Sequence, residues 1–228
     1  MDNHWMDRTV GGIVVEIPEA ARIFSQSGID FCCGGSRLLS EAILADAATD
    51  RPIDTAALDA ALDAAVLRVE TLAGTSDFRT LSTDALMEHI EARHHAYIKE
   101  ALPEISERLA IVLRAHGQHH SELFQVHGVF GQVRTDLEQH LVKEEVLLFP
   151  ALSRGTPDDA TRALAQTLRD EHTAVGEMLR TLRRLNHDYV APEDACPTYR
   201  RLLKELETME ADLFQHIHLE NNILLQGV

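Results

Sequence analysis

His140-Leu-Val-Lys-Glu144 constrains this 228-residue chain more than any other stretch. On a helix, positions four apart stand one above the other on a single face. Leu137, Leu141 and Leu148 fall on or beside that face, so the imidazole and the carboxylate point into an apolar interior. There a charge requires a partner or a metal ion. The arrangement recurs near the C-terminus, where His216-Ile-His-Leu-Glu220 precedes another aliphatic run. One such pair is often a solvated contact worth roughly a few tenths of a kcal/mol. Two pairs of the same polarity, each on an aliphatic helix, point to metal.

Composition narrows the classes. Histidine is the unusual residue, with 13 copies, while aromatics make up only 5% and alanine and leucine dominate, which favours helix over strand. A formal net charge of −16 argues against nucleic acid and against an anionic membrane surface. Of the three cysteines, two are adjacent. Neighbouring Cα atoms stand about 3.8 Å apart, too close for an unstrained disulfide, so a reducing compartment is expected. The start Met-Asp-Asn-His-Trp carries no basic and apolar leader, and no apolar run approaches a membrane span. Cytoplasm is the expectation.

The pattern divides at Gly74-Thr-Ser-Asp77, giving a small helical domain over 1–77 and a larger one over 78–228. In the first, a helix starts at Ile17 with Pro18 in its opening turn and stops at Gly28, and a second runs from Arg37 to Ala48. Between them Asp30-Phe-Cys-Cys-Gly-Gly35 reads as a turn. Asp54 to Ala73 forms a further helix. The larger domain holds four helical segments: Thr83 to Ala115 with a kink at Pro103, Gln118 to Leu148 ending at Pro150, a third capped by Thr156 with Pro157 in its first position and reaching His187, and Pro197 to Leu225. Short connections make neighbours antiparallel. The expected fold is therefore all-α, an up-down-up-down four-helix bundle preceded by a small helical domain.

Counting from the turns tests which histidines share a level, since a helix rises 1.5 Å per residue. His95 lies 22 residues before Gly117 and His140 lies 23 after it. From Pro192, His172 lies 20 before and His216 lies 24 after. Each helix thus contributes one inward histidine, and two add a glutamate one turn on. His95, His140, His172 and His216 with Glu144 and Glu220 suit a pair of irons, two histidines on each and the carboxylates bridging. Glu145 and Glu171 lie beside ligands and are placed to hydrogen bond to them. His89 and His94 fall off the face of His95; His116, His119 and His120 gather at the bundle end as surface residues. His127, His187 and His218 are expected to be solvated or bonded to a backbone carbonyl.

These residues resemble a known family. Asp30-Phe31-Cys32-Cys33-Gly34-Gly35 is similar to the N-terminal motif of the Ric proteins, di-iron proteins for repair of iron–sulfur centres. Arg93-x-His95 with Leu102-Pro-Glu104, His140-x3-Glu144-Glu145 with Leu148-Phe-Pro150, Glu171-His172 and His216-x3-Glu220-Asn-Asn resemble their hemerythrin-like bundle. The resemblance covers nearly the whole chain, departing at Leu224-Leu-Gln-Gly-Val228, where the family often has Leu-Phe-Pro. It implies a non-haem di-iron centre, oxo-bridged, that restores clusters damaged by nitric oxide or peroxide. Its partners would be damaged or apo iron–sulfur proteins, with nitric oxide or oxygen as small ligands.

An oxygen-carrying hemerythrin would need a further histidine and no Cys-Cys domain, and a ferritin-like oxidase would use Glu-x-x-His pairs. Nitric oxide reduction or iron and redox sensing at the same centre stays open beside iron donation. Cys32 and Cys33 in a glycine-rich turn are expected to be accessible, with a helix N-terminus after Ser36 favouring thiolate. They could relay iron or nitric oxide, or pair with another copy of the chain as a homodimer.

Overall fold

The computed structural model describes residues 5–46, 53–71 and 78–228. The expected helix ends at 47–48 and 72–73 and the proposed break at 74–77 lie outside the described residues. The described chain is helical, with turns and one isolated bridge between Thr9 and Leu38. It forms two compact units: Met1–Leu86 together with Phe214–Gly227, and Met87–Leu213 with Val228.

The first unit contains α1 (Val10–Glu16), α2 (Ala20–Ser27), α3 (Leu39–Asp46) and α4 (Thr55–Thr71). The pattern does not announce α1, because Val10-Gly-Gly-Ile-Val-Val-Glu16 is made of poor helix formers. Burial of Val10, Ile13 and Val14 overrides propensity there, and the Thr9 hydroxyl accepts the Gly12 N–H at the N-cap. α2 begins after Pro18 and ends, as expected, at Gly28 in the left-handed region, φ 76°. Trp5, Phe24, Leu39, Leu62 and Ile217 share one buried core, and the Trp5 indole donates to Asp63 at 2.8 Å.

In the turn after α2, Asp30 Oδ1 accepts the backbone N–H groups of Cys32 and Cys33 at 3.1 and 2.9 Å. This local bond is the reason an aspartate opens the motif. The glycines serve the interior of the unit: a Cβ on Gly35 would stand 2.4 Å from Asn222 Oδ1 and 2.8 Å from the Phe31 carbonyl oxygen. Asn222 fills that space and donates to the Cys32 carbonyl at 3.2 Å.

The second unit is built on long helices. α5 (Thr83–Ile90) passes through a π-helical turn at Glu91–His95 into α6 (Ala96–His116), which runs on through Pro103. α7 (Glu122–Lys143) passes through a π turn at Glu144–Leu148 into α8 (Phe149–Ser153). The helix therefore does not stop at Pro150. The proline sits in the first turn of α8, where its missing N–H is tolerated. α9 (Asp159–Leu185) is capped by Asp158, which accepts the Thr161 N–H at 2.8 Å; Thr156 and Pro157 lie outside it. A residue with two hydrogen bonds to offer the first turn outcompetes the expected cap. α10 (Pro197–Leu219) ends in a third π turn, Glu220–Leu224.

α6 packs on α7 and α7 on α9. α10 joins them through Arg108–Glu205 and Arg183–Glu210, around a core that includes Ile98, Leu109, Phe130, Val133, Leu179 and Leu206. Glu210 is 1% exposed; burial pushes its carboxyl up from the ordinary value while the Arg183 guanidinium pulls it down.

Two glycines give opposite expectations. Gly35→Ala overpacks the turn and lowers stability by about 1–3 kcal/mol, whereas Gly128→Ala, mid-helix in α7 with nothing within 4 Å of the added carbon, raises it by roughly 0.5–1 kcal/mol. Thermal unfolding followed by circular dichroism tests both signs.

Candidate metal centre

The three π turns fall on the expected ligands. His95 closes the first, Glu144 opens the second and Glu220 opens the third. In each, a backbone N–H reaches back five residues: Ala96 to Glu91, Phe149 to Glu144, and Leu225 to Glu220. The extra residue re-aims the side chains within an otherwise regular helix, and such turns are frequent at functional sites.

In the second unit His95, His140, Glu144 and His172 are brought together, each 3% exposed or less. His95 Nδ1 lies 2.8 Å from Glu145 Oε1, and His140 Nδ1 lies 2.9 Å from Glu171 Oε2. Each carboxylate accepts a hydrogen bond from Nδ1–H, the tautomer that leaves the Nε2 lone pair free for a metal. His95 Nε2 is then 3.4 Å from Glu144 Oε2, and His140 Nε2 is 3.2 Å from Glu144 Oε1. The two oxygens of one carboxylate thus address two different histidines. His172 Nε2 stands 2.9 Å from His140 Nε2 and 3.9 Å from Glu144 Oε1. Electron-rich atoms converging in an apolar interior are the donor set of a cation, and the residues fit a metal.

The flanking carboxylates are themselves held charged. Burial acts to raise Glu145 and Glu171, but Lys99 and His95 around the first, and Lys143 and His140 around the second, outweigh it and keep both below the ordinary glutamate value. Lys99 contacts both oxygens of Glu145, at 2.6 and 2.8 Å, and Lys143 contacts Glu171. Glu145 and Glu171 were legible from position; the lysines were not, although each sits within one helical turn of His95 or His140. Phe149 stacks on the His95 ring, centroids 5.7 Å apart. His94 is buried but turned to Asp212 at 3.1 Å.

In the first unit His216 Nε2 and Glu220 Oε1 are 2.9 Å apart, both 1% exposed. His218 is buried against Phe31, bonded to the Phe31 carbonyl, and burial pushes its pKa down to about 4. Cys32 corrects an expectation: it is buried, 3% exposed, with Sγ 3.3 Å from Asp30 Oδ1 and 3.7 Å from Cys33 Sγ. The bond to Cys33, burial and the Asp30 charge raise its pKa well above the ordinary thiol value. These surroundings disfavour the thiolate expected there, and the helix expected just after Ser36 begins at Leu39. Cys33 is half-buried.

Residues 86–227 match the family described as Hemerythrin HHE cation binding domain, and residues 6–66 match the ScdA_N domain, a Domain of Unknown function (DUF542). The chain is similar to the iron-sulfur cluster repair protein ScdA of Staphylococcus haemolyticus, 32% identical over 94% of this chain and 95% of that protein. It is also similar to the iron-sulfur cluster repair protein YtfE of Yersinia pseudotuberculosis, 33% identical over 96% of each. No helix among the described residues is long and apolar enough to cross a membrane.

Because Glu145 and Glu171 orient the histidines, Glu145→Ala or Glu171→Ala lowers metal affinity about 10–100-fold with the fold intact. Metal competition titrations measure it.

Proposed function

The chain belongs to the hemerythrin HHE family and, over nearly its whole length, to the iron–sulfur cluster repair proteins, and on that basis we propose that it is a di-iron protein that repairs iron–sulfur clusters damaged by nitric oxide or oxidative stress, by supplying iron. His95, His140, Glu144, His172, His216 and Glu220 would hold an oxo-bridged pair of non-haem irons. The observation that carries this reading is Glu144, whose two oxygens stand opposite His95 and His140 at 3.4 and 3.2 Å, as a bridging carboxylate requires. The family match across 86–227 takes in all six residues.

Iron held there would supply the metal for rebuilding a cluster and a place for nitric oxide or oxygen to bind. The protein's part is to keep the donors ready. Glu145 and Glu171 fix the histidine tautomers, and Lys99 and Lys143 keep those carboxylates ionised. Imidazole and carboxylate donors hold ferrous iron less firmly than the thiolates of a damaged or apo iron–sulfur protein, so transfer to such a client runs downhill. Cys32 and Cys33 would relay iron or nitric oxide, with Cys33, the less buried of the two, meeting the client. Nitric oxide reduction or sensing at the same centre is the competing reading.

Purified protein should carry a pair of irons per chain, and Glu144→Ala or Glu220→Ala should cost more than one carboxylate's share because a bridge serves both metals. Full iron content with unchanged oxo-bridge absorption in either variant would remove the bridging role.

Cluster restoration and nitric oxide consumption measured on one iron-loaded preparation separate donor from reductase. Restoration that drains the site in proportion supports donation; repeated turnover of nitric oxide without iron loss supports the reductase. The Cys32→Ser, Cys33→Ser double variant should keep its iron and restore clusters more slowly, and an equal rate under reducing conditions would end the relay.

A further inference from the structure

The end of the bundle where α6 turns toward α7 gathers a second set of metal-type donors. His116 closes α6, His120 lies in the following turn, and the connection between α9 and α10 presents Asp194 and Cys196. Ligand atoms of His116, His120 and Asp194 all lie within 4.8 Å of one another. His116 Nε2 is 3.2 Å from Cys196 Sγ, and His120 Nε2 is 3.0 and 3.1 Å from the two Asp194 oxygens. None of this belongs to the centre described above, since a helix needs about 31 Å to carry the chain from His95 to His116.

We propose that His116, His120, Asp194 and Cys196 form a second metal site, four-coordinate and specific for a zinc-class divalent ion. Zinc binds nitrogen and oxygen at about 2.0–2.2 Å and sulfur at about 2.3 Å in a tetrahedron, so the edges between its ligands run about 3.3–3.6 Å. Two of the six edges, His116–Cys196 at 3.2 Å and His120–Asp194 at 3.0 Å, are already close to that length; the others among His116, His120 and Asp194 lie within 4.8 Å, and Cys196 closes the set by moving with His116. Two imidazoles, a thiol and one carboxylate select a borderline-soft ion over magnesium or calcium, which prefer all-oxygen shells.

The surroundings are those of a ligand set. Glu122 Oε1 lies 3.1 Å from His120 Nδ1, so Nδ1 keeps its proton when an ion displaces the one on Nε2, the carboxylate–histidine arrangement common around zinc. Tyr199 packs against both rings, with centroids at 5.3 and 5.7 Å, and limits their rotation. Cys196 stands at the start of α10 with its Sγ 3.2 Å from His116 Nε2, and thiolate is the form that binds a metal. A bound ion would tie the α9–α10 connection to the α6–α7 turn across some eighty residues of sequence.

This inference stands apart from the iron reading, and its test uses the iron-loaded full-length chain titrated with cobalt(II) as a zinc substitute. The expected result is a single equivalent taken up beyond the iron, with tetrahedral d–d absorption and a thiolate-to-cobalt charge-transfer band. Cys196→Ser should abolish the charge-transfer band, and His120→Ala or Asp194→Asn should weaken binding roughly tenfold or more. Iron content and helical circular dichroism certify that each variant is folded. Failure to take up the extra equivalent in excess cobalt overturns the site and leaves a hydrogen-bonded cluster. A charge-transfer band that survives in Cys196→Ser overturns it too, because the sulfur would then be Cys32 or Cys33.

Discussion

Burying ionisable groups inside a helical core is the constraint on which this structure depends. His95, His140, Glu144 and His172 occupy positions that an all-aliphatic bundle would give to leucine, and each is 3% exposed or less. A carboxylate removed from water without compensation costs several kcal/mol. The structure offsets this by layers: Glu144 faces histidines, the histidines face Glu145 and Glu171, and those face lysines at the surface. Charge is passed outward until water can solvate it. A cation at the centre would neutralise the carboxylate that the neutral histidines only hydrogen-bond, so affinity for metal and stability of the fold would be aspects of one arrangement.

The π turns are the backbone's share of that arrangement. A straight helix advances about 100° per residue, and a ligand pair, its orienting carboxylate and the neighbouring core leucines cannot all keep their places over many turns at that pitch. One extra residue at Glu91–His95, at Glu144–Leu148 and at Glu220–Leu224 resets the phase beside His95, Glu144 and Glu220. The second turn also explains why Pro150 does not end its helix. The chain has already changed register there, and proline enters as the opening of a new segment.

Cysteine placement follows a different logic in the two places where it occurs. Cys32 is held as a buried thiol by Asp30 and Cys33, inside a turn whose glycines yield their space to Asn222. Cys196 lies at the start of α10 beside His116, where N–H groups and an imidazole favour the anion. The adjacent pair drew attention in the sequence, yet the lone cysteine has the more thiolate-like surroundings. Environment, not motif, decides sulfur chemistry.

Much was legible in the residues alone. Two His-x3-Glu pairs on aliphatic helices pointed to buried His–Glu clusters, helical rise put His95 level with His140, and adjacency marked Glu145 and Glu171 as hydrogen-bonding partners of histidines. Periodicity and turn residues sufficed for the helical class and for the stop at Gly28, because those are local properties of three to five residues. What lay beyond local rules came only with tertiary structure. α1 forms from poor helix formers because its valines and isoleucine are buried; Cys32 is inaccessible because the turn folds inward; the π turns break the uniform period from which levels were counted. His116 and His120 read as surface residues because their partners, Asp194 and Cys196, stand some eighty residues away. Sequence spacing determines which side chains share a helix face, but only packing decides which faces meet.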